Sequence, residues 1–200
     1  DYGSLMFMAL ERSTSARGAI RIMADLVEEY GYGSVGETFS ISDANEVWYM
    51  EIIGKGYTPK YDKKTGDTIN ADKGAVWVAI RIPDGYVSGH ANAARITTFP
   101  LRDGKKSITD KDWKKLYNQD VEVIYKHDII DFARRKNYFD GDDADFDFST
   151  AYAPVDFSAA RICDLRVWMM FNDICDGMEE YWDYATGINL ENTRMPLYVK

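Results

Sequence analysis

The chain has 200 residues, 46% hydrophobic and 28% charged, which makes it a globular sequence long enough to bury a sizeable core as a single domain over 1–200. A net charge of −9 and a pI near 4.8 argue against nucleic acid and anionic membrane as partners. No apolar run approaches the roughly 20 residues of a transmembrane helix, and 14 Tyr and 5 Trp suit either a carbohydrate binder or a large sheet-and-helix core.

Residues 2–12 are apolar and helix-compatible, and Ser13-Thr14-Ser15 offers a cap for a second helix. In that helix Ala16, Ala19, Ile20, Met23, Leu26, Val27 and Tyr30 recur at three and four, with Arg17, Arg21, Asp25, Glu28 and Glu29 elsewhere on the wheel. Gly31 stops it. The glycines at 31, 33 and 36 do not read as a phosphate loop, because no strand precedes them and no lysine follows.

Residues 38–42 and 46–53 predict a hairpin around Asp43-Ala44-Asn45, with Glu51 expected as a solvated strand carboxylate. Residues 54–73 read as an exposed connection or a hairpin extension. A second hairpin is predicted from 75–82 and 86–91, joined by Pro83-Asp84-Gly85, where proline fixes φ and glycine allows φ > 0. Its second strand ends in His90, Asn92 and Arg95, polar groups delivered to one end of a sheet; a plain surface strand end is the alternative.

Residues 101–113 look charged and loop-like, and 128–136 predict a helix with basic residues closing its end and His127 as a cap neighbour. The aspartates at 140, 142, 143, 145 and 147 lack the glycine and terminal glutamate of an EF-hand, which favours a solvated loop over a calcium loop. Residues 158–173 predict a helix. Arg161 falls in its first turn, where a cation opposes the helix dipole and answers either to a group outside the helix or to an aspartate. Cys163 and Cys175 are expected as buried free thiols, a disulfide being the alternative. Helices, then paired antiparallel strands, then helices predict an α+β fold.

Three segments carry a resemblance that spans nearly the whole chain: SARGAIRIMADLVEEYGYGSVGETFSISDANEVWYMEIIGKG, GAVWVAIRIPDGYVSGHANAARI and DFARRKNYFDG…AYAPVDFSAARICDLRVW. They resemble the bacterial cysteine-type dipeptidases of the N-terminal-nucleophile (Ntn) hydrolases, relatives of penicillin V acylase and bile-salt hydrolase. The resemblance implies an Ntn-hydrolase-like α-β-β-α sandwich of antiparallel sheets, incomplete at its N-terminal side, with 1–200 part of a larger catalytic domain. It implies hydrolysis of short peptides by an N-terminal cysteine whose α-amine acts as base, without metal or organic cofactor. Asp1 occupies the terminus and both cysteines are internal, so the nucleophile is expected on a missing N-terminal segment and the 200 residues alone are expected to be inactive. By resemblance Asn92 lies at the oxyanion and Arg161 beside the nucleophile; His90 and Arg95 are further candidates, for binding the peptide's termini. The competing reading is a non-catalytic ligand-binding domain using surface aromatics. Compartment stays open, as does assembly as a homo-oligomer.

Overall fold

The structure, a computed structural model, describes residues 2–103, 105–191 and 194–200; Asp1 lies outside them. The chain is α+β and divides into two compact units, Asp1–Ile80 with Arg102–Ile129 and Arg81–Leu101 with Ile130–Lys200.

The first unit is a helical layer on a mixed sheet. Helices α1 (Tyr2–Arg12) and α2 (Ala16–Tyr30) lead. Ser15 caps α2 by accepting from the Gly18 N–H, and Gly31 closes it at φ +89°, donating its own N–H to the Val27 carbonyl. Strands β1 (Gly36–Ser42) and β2 (Val47–Gly54) form the first predicted hairpin, in register from Gly36↔Ile53 to Ser42↔Val47. Asp43 explains where it turns. Its Oδ1 accepts from the Asn45 and Glu46 N–H groups, and its Oδ2 accepts from the Ala16 N–H at 2.8 Å. Those backbone donors hold the Asp43 carboxyl below its ordinary pKa.

The small hairpin β3 (Pro59–Tyr61) and β4 (Thr68–Asn70) follows, then β5 (Ala75–Ile82). With β7 (Ser107–Thr109) and β8 (Val123–Tyr125), the main sheet has the order β1-β2-β5-β8-β7, β8 running antiparallel to β5 and parallel to β7. Apolar residues of α1 and α2 pack with Trp48, Met50, Ile52, Trp77, Ala79, Ile108 and Ile124 in one core.

Three expectations change here. β7 and β8 lie where no strand was foreseen: three residues are too few for periodicity to register, and their burial comes from the neighbours they pair with. Glu51 is 1% exposed, not solvated, because β2 is buried on both faces. Arg17 is 2% exposed although the helical wheel puts it among polar positions. All five of its N–H groups are used: Glu46 takes two, and the Leu116, Asn118 and Val121 carbonyls take the rest at 2.8–3.0 Å.

In the second unit the Pro83-Asp84-Gly85 turn forms, with the Tyr86 N–H on the Pro83 carbonyl. The predicted hairpin does not. Among the described residues β6 (Val87–Ser88) pairs with β9 (Tyr198–Val199), so a strand far along the chain takes the place of the sequence neighbour. Helices α3 (Ile129–Arg135), α4 (Phe148–Tyr152), α5 (Leu165–Asn172) and α6 (Trp182–Ala185) complete the unit. Apolar side chains pack in it in at least two places among the described residues. Val167, Phe171, Met178, Tyr184, Met195 and Val199 form one. Another is aromatic, with Phe146 edge-on to Phe99, Phe139 and Tyr152. Part of the aromatic surplus is therefore core. In the acidic run Asp143 pairs with Arg134 at 2.6 Å, and Asp147 caps α4 by accepting from the Thr150 N–H.

Candidate functional site

The polar loop after β6 and the helical segment before α5 both belong to the second unit. The loop leaves extended structure at Gly89, where an added Cβ would run into the Met170 methyl group on α5. Asn92 then adopts φ +42°. Asparagine tolerates this left-handed region better than most residues because its short polar side chain bonds locally. The result is a bend at Asn92 in place of the expected strand end.

The helical segment is also irregular. Residues Ala159–Asp164 form a π-helical turn, closed by the Leu165 N–H on the Ala160 carbonyl, and pass directly into α5. Wide turns of this kind shift the faces of a helix relative to α-helical spacing and recur at functional sites. Arg161 sits within the turn and is exposed.

The guanidinium that reaches Asn92 is Arg166's. Its Nη2 donates to Asn92 Oδ1 at 2.7 Å, and its Nε donates to the Ile162 carbonyl at 2.7 Å. This contact fixes the amide's orientation by chemistry alone. A guanidinium has only donors, so it must meet the amide oxygen, which leaves the two N–H groups of the Asn92 side chain directed away from the arginine. The sequence held a weak signal for Arg166: a second arginine near Arg161 in the segment that carries the resemblance. On an unbroken α-helix positions 161 and 166 would not share a face, and the π-helical turn alters that spacing.

Arg95 turns inward. It is 6% exposed; its Nη1 donates to the Gly89 carbonyl and its Nη2 to the Pro196 carbonyl, both at 2.7 Å. Its Nε lies 3.6 Å from Asp164 Oδ1, and its guanidinium carbon stands 5.4 Å from the Phe171 ring centroid. Asp164 is 1% exposed and takes the Tyr184 hydroxyl on Oδ2 at 2.5 Å. Burial pushes the Asp164 carboxyl above its ordinary pKa, against the lowering pull of Tyr184 and Arg95. Burial and the adjacent carboxylate push the Tyr184 hydroxyl up as well. His90 is exposed beside Gly89. Cys163 is a buried free thiol, while Cys175 is free and half-buried.

The loop and helix thus bring together Asn92 with Arg166, and Arg95 with Asp164 and Tyr184. The first pair is an exposed, oriented amide; the second is a buried polar network. An amide held by its oxygen can donate to negative charge developing on a bound carbonyl.

Comparison with known proteins gives this geometry a context. A probable dipeptidase of Latilactobacillus sakei is 31% identical over 100 residues, 50% of this chain and 17% of that protein. A probable dipeptidase of Salmonella dublin is 23% identical over 158 residues, 78% of this chain and 28% of that protein. The match therefore covers less than a third of the length of either relative. Over residues 1–200 the sequence matches Peptidase family C69, and the chain belongs to that family.

Proposed function

We propose that this chain supplies the oxyanion-stabilising part of a dipeptidase that cleaves short peptides through a cysteine nucleophile. In this reading the nucleophile is an N-terminal cysteine outside these 200 residues, since Cys163 and Cys175 are internal and carry no α-amine. The 200 residues are inactive by themselves. The helix-covered sheet of the first unit would form an α-β half of an Ntn-hydrolase sandwich. The short coverage of the dipeptidase relatives supports a longer parent protein.

The chemistry follows from the groups. The cysteine thiol gives its proton to its own α-amine, and the thiolate adds to the peptide carbonyl carbon, placing negative charge on the carbonyl oxygen. The Asn92 amide N–H groups donate to that oxygen. The tetrahedral species collapses by breaking the C–N bond, the proton passes to the leaving amine, and water then releases the acyl group from sulfur. Arg166 keeps Asn92 oriented throughout. Arg161, exposed on the π-helical turn, stabilises the thiolate, and His90 meets a terminus of the peptide.

The observation that carries this reading is the 2.7 Å contact from Arg166 to Asn92 Oδ1. Its test is Asn92→Asp in the full-length protein, assayed on dipeptides. The aspartate keeps an oxygen for Arg166 and the same shape but loses both N–H donors. The expected result is a fall in kcat of about 10²–10³-fold, the cost of removing one oxyanion donor. Unchanged kcat overturns the proposal.

A further inference from the structure

We infer that Arg95 is a positioning residue for the oxyanion amide, acting through Asn92 and never touching the peptide; this rests on the function proposed above. Gly89, Asn92 and Arg95 are evenly spaced three residues apart. The hydrogen bond from Arg95 to the Gly89 carbonyl closes a ring across the loop, with Asn92 at its midpoint. The bend at Asn92 is a sparsely populated backbone conformation, and such conformations persist only where their surroundings over-determine them.

The same helical segment grips this loop twice. On the exposed side Arg166 holds the Asn92 side chain. On the buried side Asp164, two residues earlier, faces the Arg95 guanidinium and is itself held by the Tyr184 hydroxyl. A cation as deeply buried as Arg95 requires a counter-charge and partners for its protons. Asp164 supplies the first, and the Gly89 and Pro196 carbonyls supply two of the second. Arginine suits this position because its planar fork reaches two carbonyls and faces a carboxylate at once, which a lysine ammonium cannot reproduce. Among the described residues Asp164 Oδ1 accepts no hydrogen bond, and it lies 3.6 Å from the Arg95 Nε, within reach of that cation's charge.

The test is a double-mutant cycle in the full-length protein, with dipeptide hydrolysis as readout. Arg95→Lys keeps the charge beside Asp164 and gives up the fork. It is expected to lower kcat by about 10²-fold, the effect of a small misplacement of a catalytic group, with KM nearly unchanged. In the Asn92→Asp background, where the oriented donors are already gone, Arg95→Lys is expected to cost little more. Tyr184→Phe, which removes only the hydroxyl that holds Asp164, is expected to show a smaller drop with the same non-additivity, and it serves as the readout if Arg95→Lys fails to fold. An equal drop in both backgrounds, a rise in KM at constant kcat, or no effect of either variant overturns the inference. A full loss on Asn92→Asp with additive effects at Arg95 overturns this inference alone; unchanged kcat for Asn92→Asp overturns the proposed function with it.

Discussion

Arg17 and Arg95 are both buried arginines, one in each unit, and the molecule uses them differently. Around Arg17 every N–H group has an acceptor: the Glu46 carboxylate meets Nε and Nη2, and three carbonyls from residues 116–121 take the rest. The cation also lies 4.9 Å from the centroid of the Trp48 ring. Around Arg95 the carboxylate stands off at 3.6 Å, and the short bonds go instead to two backbone carbonyls, Gly89 of the bent loop and Pro196 ahead of β9. The first arrangement joins helix, hairpin and a distant segment into one core. The second holds a loop in a shape it would otherwise leave. Buried charge is expensive wherever it occurs, and here it stabilises a core in one unit and orders an exposed polar group in the other.

The largest effect expected from breaking this contrast is at Arg17. Arg17→Ala removes the guanidinium that meets the Glu46 carboxylate and donates to the Leu116, Asn118 and Val121 carbonyls, and should cost about 3–5 kcal/mol of stability in the first unit. Denaturant unfolding followed by tryptophan fluorescence checks this, with Trp48 and Trp77 in that core as reporters. A loss below about 1 kcal/mol, the worth of an exposed ion pair, would erase the distinction between the two arginines.

A smaller effect sharpens the comparison through pH. Burial pushes the Asp110 carboxyl of the first unit up, but the hydrogen bond from Lys126 at 2.9 Å and the His127 backbone N–H more than reverse it, leaving its pKa lowered. Asp164 of the second unit stays raised. The signs are therefore opposite. Asp110 contributes stability that is present above the unfolded aspartate pKa of about 3.9 and is lost as pH falls through its folded value. For Asp164 the contribution is present below about 3.9 and is lost as pH rises through its folded value. Unfolding free energies of Asp110→Asn and Asp164→Asn, each subtracted from the parent protein between about pH 3.5 and 7, should slope in opposite directions. Parallel slopes would contradict the geometry at one of the two sites.

The smallest expected change is at Arg166. The pair with Asn92 is exposed, so Arg166→Lys should alter stability by no more than about 0.5 kcal/mol, while turnover in the full-length protein falls. A large loss of stability would place Arg166 with Arg17 as a structural clamp.

Local patterns carried much of this fold. The apolar face of α2, its serine cap, its glycine stop and the Asp43 turn were legible because each depends on residues within a few positions of one another. The long-range partners were not. Arg17 reads as a surface residue on a helical wheel, and its burial depends on carbonyls about a hundred positions away. The strand after Pro83-Asp84-Gly85 looks like half of a hairpin, and only the distant β9 gives it another mate. At the candidate site Asn92 and Arg95 are legible as polar residues at the end of an apolar strand, whereas the contact of Arg166 with Asn92 depends on how a loop and a helix with a π-helical turn come together, which local spacing does not show.

Sequence by itself determined the α+β class, the amphipathic helices, the turns and the family, because those depend on local spacing and on long runs of matching residues. Only the tertiary structure decided which arginine meets Asn92, which one is buried against Asp164, and which strand closes β6. Such pairings are settled by burial and by competition for hydrogen-bond partners, and a partner's identity is fixed only once distant segments have come together.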